Sequence, residues 1–264
     1  MVKERISLSI DKDVLERLDR EDSNSRSALI EKIVIDYISH KKSAVILAGG
    51  KPENLLADKK IYRPLLPIGK KTLIEDSIQK VRDAGFDQIY VVGAKEILAA
   101  IFQVLGENGI IYVEEEKHLG SAKTLSLLRN KIKNTFLFVA SDHFFDIDLR
   151  AVEKYHLEHK GVVTLVTYSG SEHEWNKSSI VKLEGNKITE YSESPGKVKT
   201  HLTSILVGFA EPEIFDFIPK SDVTYSLQTG VFPQVAKEGK LIGYLFSGTW
   251  KNIHSAQDVK ELKQ

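Results

Sequence analysis

The stretch AVILAGGKPENLLADKKIYRPLLPIGKKTLIE, residues 44–75, carries the strongest structural signal in the chain. Its opening residues, Ala44–Leu47, are apolar and predict a short buried strand. Gly49 and Gly50 follow at once, which predicts a sharp turn whose bare backbone can approach phosphates. An amphipathic run begins at Thr72 and predicts a helix. The stretch therefore predicts a strand, a phosphate-binding loop and a helix in succession.

Strand and helix patterns then alternate to the end of the chain. This alternation predicts an α/β fold with a doubly wound sheet, in which ligands bind at the carboxyl ends of the strands. The predicted strands are Ala44–Leu47, Ile89–Val92, Ile110–Val113, Thr135–Ala140, Val162–Tyr168 and Ile205–Phe209. The predicted helices are Thr72–Ala84, Ile97–Leu105 and Ser121–Lys133.

Composition limits the class of protein. The chain has 264 residues, 42% of them hydrophobic, and a formal net charge of +0. That balance gives no global attraction to nucleic acid or to a membrane. Cysteine is absent from the sequence, which excludes disulfides and thiolate metal sites. The start resembles no signal peptide, and no apolar run approaches the roughly 18 residues of a membrane span. We therefore expect a cytoplasmic protein.

The first forty residues have a different pattern. Apolar residues alternate strictly at Ile6, Leu8 and Ile10, which predicts a half-buried strand over Arg5–Ile10. Two helical patterns follow, with Asp11 and Ser25 as their N-caps. One strand and two helices cannot bury a core alone, so we expect two copies to pair.

This order is similar to the ribbon-helix-helix DNA-binding domain of the Arc-repressor class, with the domain spanning residues 1–42. The resemblance implies a homodimer or tetramer that binds double-stranded DNA. It implies base contacts from Arg5, Ser7 and Ser9 and phosphate contacts from Ser25, Arg26 and Ser27. The other interpretation is a dimerisation module that never meets DNA. Nine basic and nine acidic residues in positions 1–42 favour that interpretation, because net zero charge is poor for phosphate affinity.

Residues 43–264 resemble the sugar-phosphate nucleotidyltransferases, also called nucleotide-sugar pyrophosphorylases. The resemblance implies a Rossmann-like fold with a mixed sheet. It implies a nucleotide site of Leu47, Ala48, Gly49, Gly50, Arg63, Glu115, Gly120 and Ser121. It also implies a weak Mg²⁺ site at Asp142 and Asn252, where asparagine replaces the family's aspartate. A carboxylate at Glu115 suits the two N–H donors of guanine, so the segment favours guanine slightly.

Several family positions have changed. The catalytic arginine of the family falls on Asn54, and its sugar-side lysine falls on Ser194. Neither residue can stabilise the negative charge of a phosphoryl-transfer transition state. The sequence therefore favours a DNA-binding transcriptional regulator whose body senses a nucleotide or nucleotide sugar as an effector, or only oligomerises. A purely structural assembly protein is a further possibility. The alternative is an active enzyme that makes a nucleotide sugar, with Arg63 as its catalytic residue and the first domain as its dimeriser.

Overall fold

A computed structural model describes residues 6–21, 25–39, 41–58, 60–169, 178–195 and 202–262. The chain divides into two compact units, Met1–Lys41 and Lys42–Gln264. None of the described helices is long and apolar enough to cross a membrane.

The first unit contains two helices, α1 (Lys12–Glu21) and α2 (Arg26–Ser39). The Asp11 carboxylate accepts a hydrogen bond from the Asp13 N–H at 2.8 Å, as expected of an N-cap. Residues 6–10 form no strand in the single chain, and the predicted strand stays a prediction because its expected partner is a second copy. A strand needs a hydrogen-bonding neighbour, and none lies within the described part of this unit. A ribbon-helix-helix domain is therefore not shown, and Arg5 lies outside the described residues.

The second unit is built on one nine-stranded sheet with three two-stranded sheets beside it. Its strands are β1 (Ser43–Ala48), β2 (Leu56–Ala57), β3 (Ile61–Tyr62), β4 (Pro67–Ile68), β5 (Lys71–Thr72), β6 (Gln88–Gly93), β7 (Ile110–Glu114), β8 (Phe136–Ala140), β9 (His143–Phe145), β10 (Val163–Tyr168), β11 (Ser179–Glu184), β12 (Lys187–Glu193), β13 (Thr203–Ala210), β14 (Leu241–Phe246) and β15 (Trp250–Asn252). Its α-helices are α3 (Leu73–Asp83), α4 (Lys95–Leu105), α5 (Ser121–Ser126), α6 (Leu149–His159), α7 (Phe232–Lys237) and α8 (Ala256–Glu261). Short 3₁₀ helices span Pro52–Leu55, Arg63–Leu65 and Pro212–Phe217, and a π-helix spans Leu227–Val231.

The strand order of the large sheet is β10-β14-β12-β11-β13-β8-β1-β6-β7. β1 pairs in parallel with both β6 and β8, and β6 pairs in parallel with β7. These pairings confirm the four parallel strands expected from the sequence. β13 joins β8 antiparallel, so the sheet is mixed. β1 therefore lies inside the sheet, with both edges hydrogen-bonded.

Successive side chains of β1 enter two separate apolar cores, because neighbouring strand residues point to opposite faces. Ala44, Ile46 and Ala48 pack on the face covered by α3, α4 and α6. Val45 and Leu47 pack on the face covered by α5 and α7. Each core covers one face of the sheet, as in a doubly wound fold.

Helix boundaries follow the local hydrogen bonds. The helix predicted from Thr72 is present as α3, and Thr72 and Glu75 form a reciprocal capping box at its start. The helix predicted over 121–133 is wrong in length, since α5 ends at Ser126. Beyond it, Leu128 and Arg129 donate to carbonyls three residues back, so the chain continues as tight turns.

A buried histidine makes the stability of this unit depend on pH. His156 is 1% exposed, and its ring nitrogens lie 2.7 Å from Thr164 Oγ1 and 3.1 Å from Glu211 Oε1. Burial lowers its pKa more than Glu211 raises it. The unfolded chain therefore takes up this proton at a higher pH than the folded chain does. Stability from this group is present above a pH of about 6.5 and is lost as pH falls.

We expect the free energy of unfolding to decrease between pH 7.5 and pH 5.5, and His156→Gln to reduce that decrease. Urea denaturation at both pH values measures the free energy of unfolding. His159→Gln, on the same helix but half-buried, is the matched control. An identical pH dependence in the wild type and in His156→Gln would contradict the assignment.

Candidate active site

The carboxyl ends of β1 and β8 bring two predicted site segments together. Leu47 and Ala140 are register partners in this parallel pair, and the Ser141 N–H donates to the Leu47 carbonyl at 3.0 Å. The glycine loop leaves β1 at this point, and Asp142 follows β8. The structure therefore places Leu47, Ala48 and the glycine loop at the same sheet edge as Asp142.

Glu115 holds the glycine loop through a hydrogen bond to its backbone. Its side chain is buried, and its two oxygens accept hydrogen bonds from the Gly50 N–H at 2.9 Å and the Thr124 hydroxyl at 2.7 Å. Gly50 has a φ of +110°, which suits glycine, and a Cβ on Gly49 would lie 2.5 Å from Thr124 Oγ1. Glu115 thus holds the loop, which differs from the expected contact to guanine. The Gly50 N–H is likewise committed to Glu115 and not directed at a ligand.

Gly120 and Ser121 anchor a second loop. Gly120 is the N-cap of α5 with a φ of +96°, and a Cβ there would lie 2.7 Å from the Tyr225 carbonyl oxygen. The Ser121 hydroxyl donates to Gln228 Oε1 and accepts from the Leu227 N–H, both at 2.9 Å. These two predicted nucleotide contacts therefore position the start of α5 against the π-helix.

Arg63 reaches Asp142 from its own short 3₁₀ helix. Its NH1 lies 3.3 Å from Asp142 Oδ2, and the two side chains are 19% and 16% exposed. The Arg63 Nε is buried without a hydrogen-bond partner. Two residues predicted separately, 79 positions apart, are thus one ion pair in the structure.

The pairing of β9 with β15 brings Asn252 close to Asp142. Asn252 lies opposite His143, and the Ile253 N–H donates to the Asp142 carbonyl at 2.8 Å. Asn252 Oδ1 and His143 Nδ1 are both buried without a hydrogen-bond partner. Unpaired buried polar atoms are costly, so several at one point indicate a place for a ligand.

Two histidines flank the pair and stay neutral at neutral pH. Burial lowers the pKa of His143, although Asp142 acts in the opposite direction. Burial, and then the charge of Arg63, lower the pKa of His254. In the sequence both residues look like ordinary polar positions, and neither was expected at the site. Their positions next to the candidate metal ligands Asp142 and Asn252 were the available signal.

A cavity of about 620 Å³ opens beside these groups. It is lined by His143, Trp250, Asn252 and His254 on one side and by a group rich in hydroxyls on the other. The hydroxyl side comprises Ser178, Ser179, Tyr191, Thr203 and Ser204, together with Glu193. Lys251 and its ion-pair partner Glu261 also line the cavity, as does Asp258. Burial raises the pKa of Tyr191, so its hydroxyl stays protonated.

The residues fit a magnesium ion that arrives with phosphates. Mg²⁺ is commonly bound by one or two carboxylates plus substrate phosphates. Asp142 supplies one carboxylate, and the unpaired Asn252 Oδ1 supplies a neutral oxygen. In the described part of the chain, no three His, Asp or Glu side chains converge to hold a metal by themselves. The weak Mg²⁺ site predicted at Asp142 and Asn252 stays a prediction.

Comparison with known families agrees with this geometry. The family described as nucleotidyl transferase matches residues 43–264. The chain belongs to this family.

Relatives within the family carry enzyme names. The chain is 26% identical over 221 residues to the bifunctional protein GlmU of Methanococcus aeolicus, covering 82% of this chain and 52% of that protein. It is 27% identical over 216 residues to a UTP–glucose-1-phosphate uridylyltransferase of Synechocystis, covering 74% and 55%. The chain thus spans about half the length of these curated relatives.

A solved structure shows the same fold. It is described as a glucose-1-phosphate thymidylyltransferase from Bacillus anthracis in complex with sucrose. The TM-score is 0.74 at 19% identity, covering 83% of this chain and 93% of that one. This likeness confirms the α/β nucleotidyltransferase fold of the second unit.

These comparisons overturn the regulatory interpretation. The expected transcriptional regulator, its DNA partner and the loss of catalysis are all contradicted, because the family is described as nucleotidyl transferase and one relative is named a uridylyltransferase. The expectation of lost catalysis rested on the cations missing at Asn54 and Ser194. The sequence did not reveal that Arg63 lies against Asp142 and that Lys251 lines the cavity. Of the six residues expected to contact DNA, Arg5 lies outside the described residues, and nothing supports that role for Ser7, Ser9, Ser25, Arg26 and Ser27.

The support of the glycine loop by Glu115 can be tested directly. Glu115→Ala removes both acceptor oxygens, so the half-buried Gly50 N–H loses its partner. We expect a loss of about 1–3 kcal/mol in the free energy of unfolding, measured by urea denaturation. Glu116→Ala, at an exposed neighbour, is the control. Equal stability of the two variants would show that the carboxylate does not hold the loop.

Proposed function

We propose that this chain transfers a nucleotidyl group from a nucleoside triphosphate to a sugar 1-phosphate and releases pyrophosphate. The observation that carries the proposal is the Arg63–Asp142 pair at the sheet edge where the glycine loop leaves β1, together with the hydroxyl-rich cavity that His143 and Asn252 line. A cation, a carboxylate and a polar cavity at the carboxyl ends of parallel strands suit a phosphorylated substrate. The names of the relatives support the same reaction.

In this reaction a phosphate oxygen of the sugar attacks the α-phosphorus of the nucleotide. The bond from that phosphorus to the bridging oxygen breaks, and pyrophosphate leaves with the electron pair. The guanidinium of Arg63 can bind phosphate oxygens with two parallel N–H donors. Its role is to hold the phosphates and stabilise their developing charge.

Members of this family commonly use Mg²⁺, and Asp142 and Asn252 are the residues that would hold it. When bound, the ion would neutralise charge on the phosphates. The nucleotide contacts expected at Leu47, Ala48, Gly49, Gly50, Arg63, Glu115, Gly120 and Ser121 remain a proposal. Among them, Glu115, Gly50 and Ser121 act by shaping the loops, as their hydrogen bonds support.

The far side of the cavity suits a sugar ring. Hydroxyl and carboxylate groups there can exchange hydrogen bonds with sugar hydroxyls. The Ser179 hydroxyl donates to Glu193, which orients that carboxylate at the cavity wall. The lysine expected at Ser194 is absent, and Ser194 is exposed just after β12. Arg63 and Lys251 are the cations we assign to the sugar phosphate in its place.

The first unit serves, in this proposal, to pair two copies of the chain. Ile6 and Leu8 are 76% and 57% exposed, and Val14, Ile33 and Val34 are also exposed. The alternation at residues 6–10 is typical of a strand with one buried face. A second copy of the same segment would supply the hydrogen bonds that a strand needs. It would also bury the apolar side chains that are exposed in a single copy. The ribbon-helix-helix arrangement remains a proposal on this basis, without a role for DNA.

Pyrophosphate release tests the proposed reaction. We expect UTP, dTTP, GTP, CTP or ATP with a hexose 1-phosphate and Mg²⁺ to give turnover of about 1 s⁻¹ or faster for at least one pair. Arg63→Ala should lower kcat/KM by about 10²–10³, because it removes the charge at the phosphates. Lys70→Ala, at an exposed position, should leave kcat/KM unchanged. No release from any pair would contradict the proposal.

Light scattering tests the pairing of the first unit. Leu8→Glu places a charge on the apolar face of residues 6–10 and should shift the full chain to a smaller assembly. Ser7→Glu places the same charge on the opposite face and is the matched control. A wild type that is already monomeric, or equal effects of both changes, would show that this segment does not pair.

A further inference from the structure

The contact between Arg63 and Asp142 has a consequence for metal binding. The NH1–Oδ2 distance of 3.3 Å is long for a charge-assisted bond, which is commonly 2.7–2.9 Å. The Nε of the same guanidinium is buried and has no partner. Arg63 is therefore held near the carboxylate but does not use its full donor set there.

The charges of the two candidate metal ligands and of Arg63 together are unfavourable for a free divalent cation. Asp142 contributes one negative charge, Arg63 one positive charge, and Asn252 none. The three side chains sum to zero, whereas an aspartate at position 252 would leave one negative charge. A cation that uses Asp142 Oδ2 must also compete with the guanidinium that already contacts this oxygen. Opposed charges at such short range interact strongly inside a protein.

Phosphates would reverse this balance. A guanidinium binds phosphate through two parallel donors, which is a better match than the single long contact to Asp142. A triphosphate would therefore draw Arg63 toward itself and leave the carboxylate available. It would also supply further oxygen ligands, which Mg²⁺ normally takes from substrate.

We propose that Arg63 is an internal counter-ion that keeps divalent metal off Asp142 until a nucleotide arrives. Metal and nucleotide then bind in a coupled manner, and each raises the affinity for the other. The inference rests on the proposed function, because it takes a nucleoside triphosphate as the ligand of this site. Under this proposal, the positive charge of Arg63 and the missing negative charge at Asn252 together make metal binding depend on the nucleotide.

Manganese titration of the full chain tests the proposal without turnover. Water proton relaxation distinguishes Mn²⁺ on the slowly tumbling protein from Mn²⁺ free or on nucleotide. We expect the nucleotide-free wild type to bind Mn²⁺ weakly at Asp142. Arg63→Gln, which removes the counter-ion, and Asn252→Asp, which adds a carboxylate, should each tighten Mn²⁺ binding at least fivefold, the lower end of typical coupling. Lys70→Gln removes one positive charge from an exposed position and should leave Mn²⁺ binding unchanged.

Adding an α,β-methylene analogue of the best nucleotide should tighten Mn²⁺ binding to the wild type by about 5- to 150-fold. Adding the same analogue should tighten Mn²⁺ binding to Arg63→Gln by a smaller factor. Equal Mn²⁺ affinity of the free wild type and Arg63→Gln would overturn the proposal, as would a Lys70→Gln effect equal to that of Arg63→Gln. If the variants tighten Mn²⁺ binding but no substrate pair releases pyrophosphate, the proposed function fails and the counter-ion role stands. If pyrophosphate is released but the Mn²⁺ affinities are unchanged, the counter-ion role fails and the proposed function stands.

Discussion

The parallel pairing of β1 with β8 is the constraint on which the site depends. It aligns Leu47 with Ala140, so the two chain segments leave the sheet at the same edge. The glycine loop and Asp142 are far apart in sequence and are brought together by this register alone. A shift of one residue would turn every side chain of β1 toward the other core, which makes the register hard to change.

Glu115 adds a second constraint at that edge. A buried carboxylate is expensive unless its oxygens are paired, and here each accepts one hydrogen bond from the loop or from α5. The carboxylate therefore couples the loop after β1 to the helix after β7. Its position in an acidic run suggested a group that reads a base, yet burial makes it part of the scaffold.

Charge is distributed across this site differently from what a motif comparison suggests. Two cationic positions of the family are lost, but Arg63 pairs with Asp142 and Lys251 lines the cavity. The exchange of aspartate for Asn252 lowers the negative charge that faces Arg63. A comparison position by position records these losses but does not show which charged groups the fold brings to the site, such as the Arg63 guanidinium beside Asp142.

The sequence by itself determined the class of fold, the four parallel strands, the helix that begins at Thr72 and the place of the glycine loop. These follow from periodicity and local hydrogen bonding, which act within a few residues. Only the tertiary structure decided that Arg63 pairs with Asp142, that Glu115 accepts hydrogen bonds from the glycine loop and α5, and that His143 and Asn252 line one cavity. Those contacts join segments dozens of residues apart, and their partners are set by strand order and register, which no local pattern encodes.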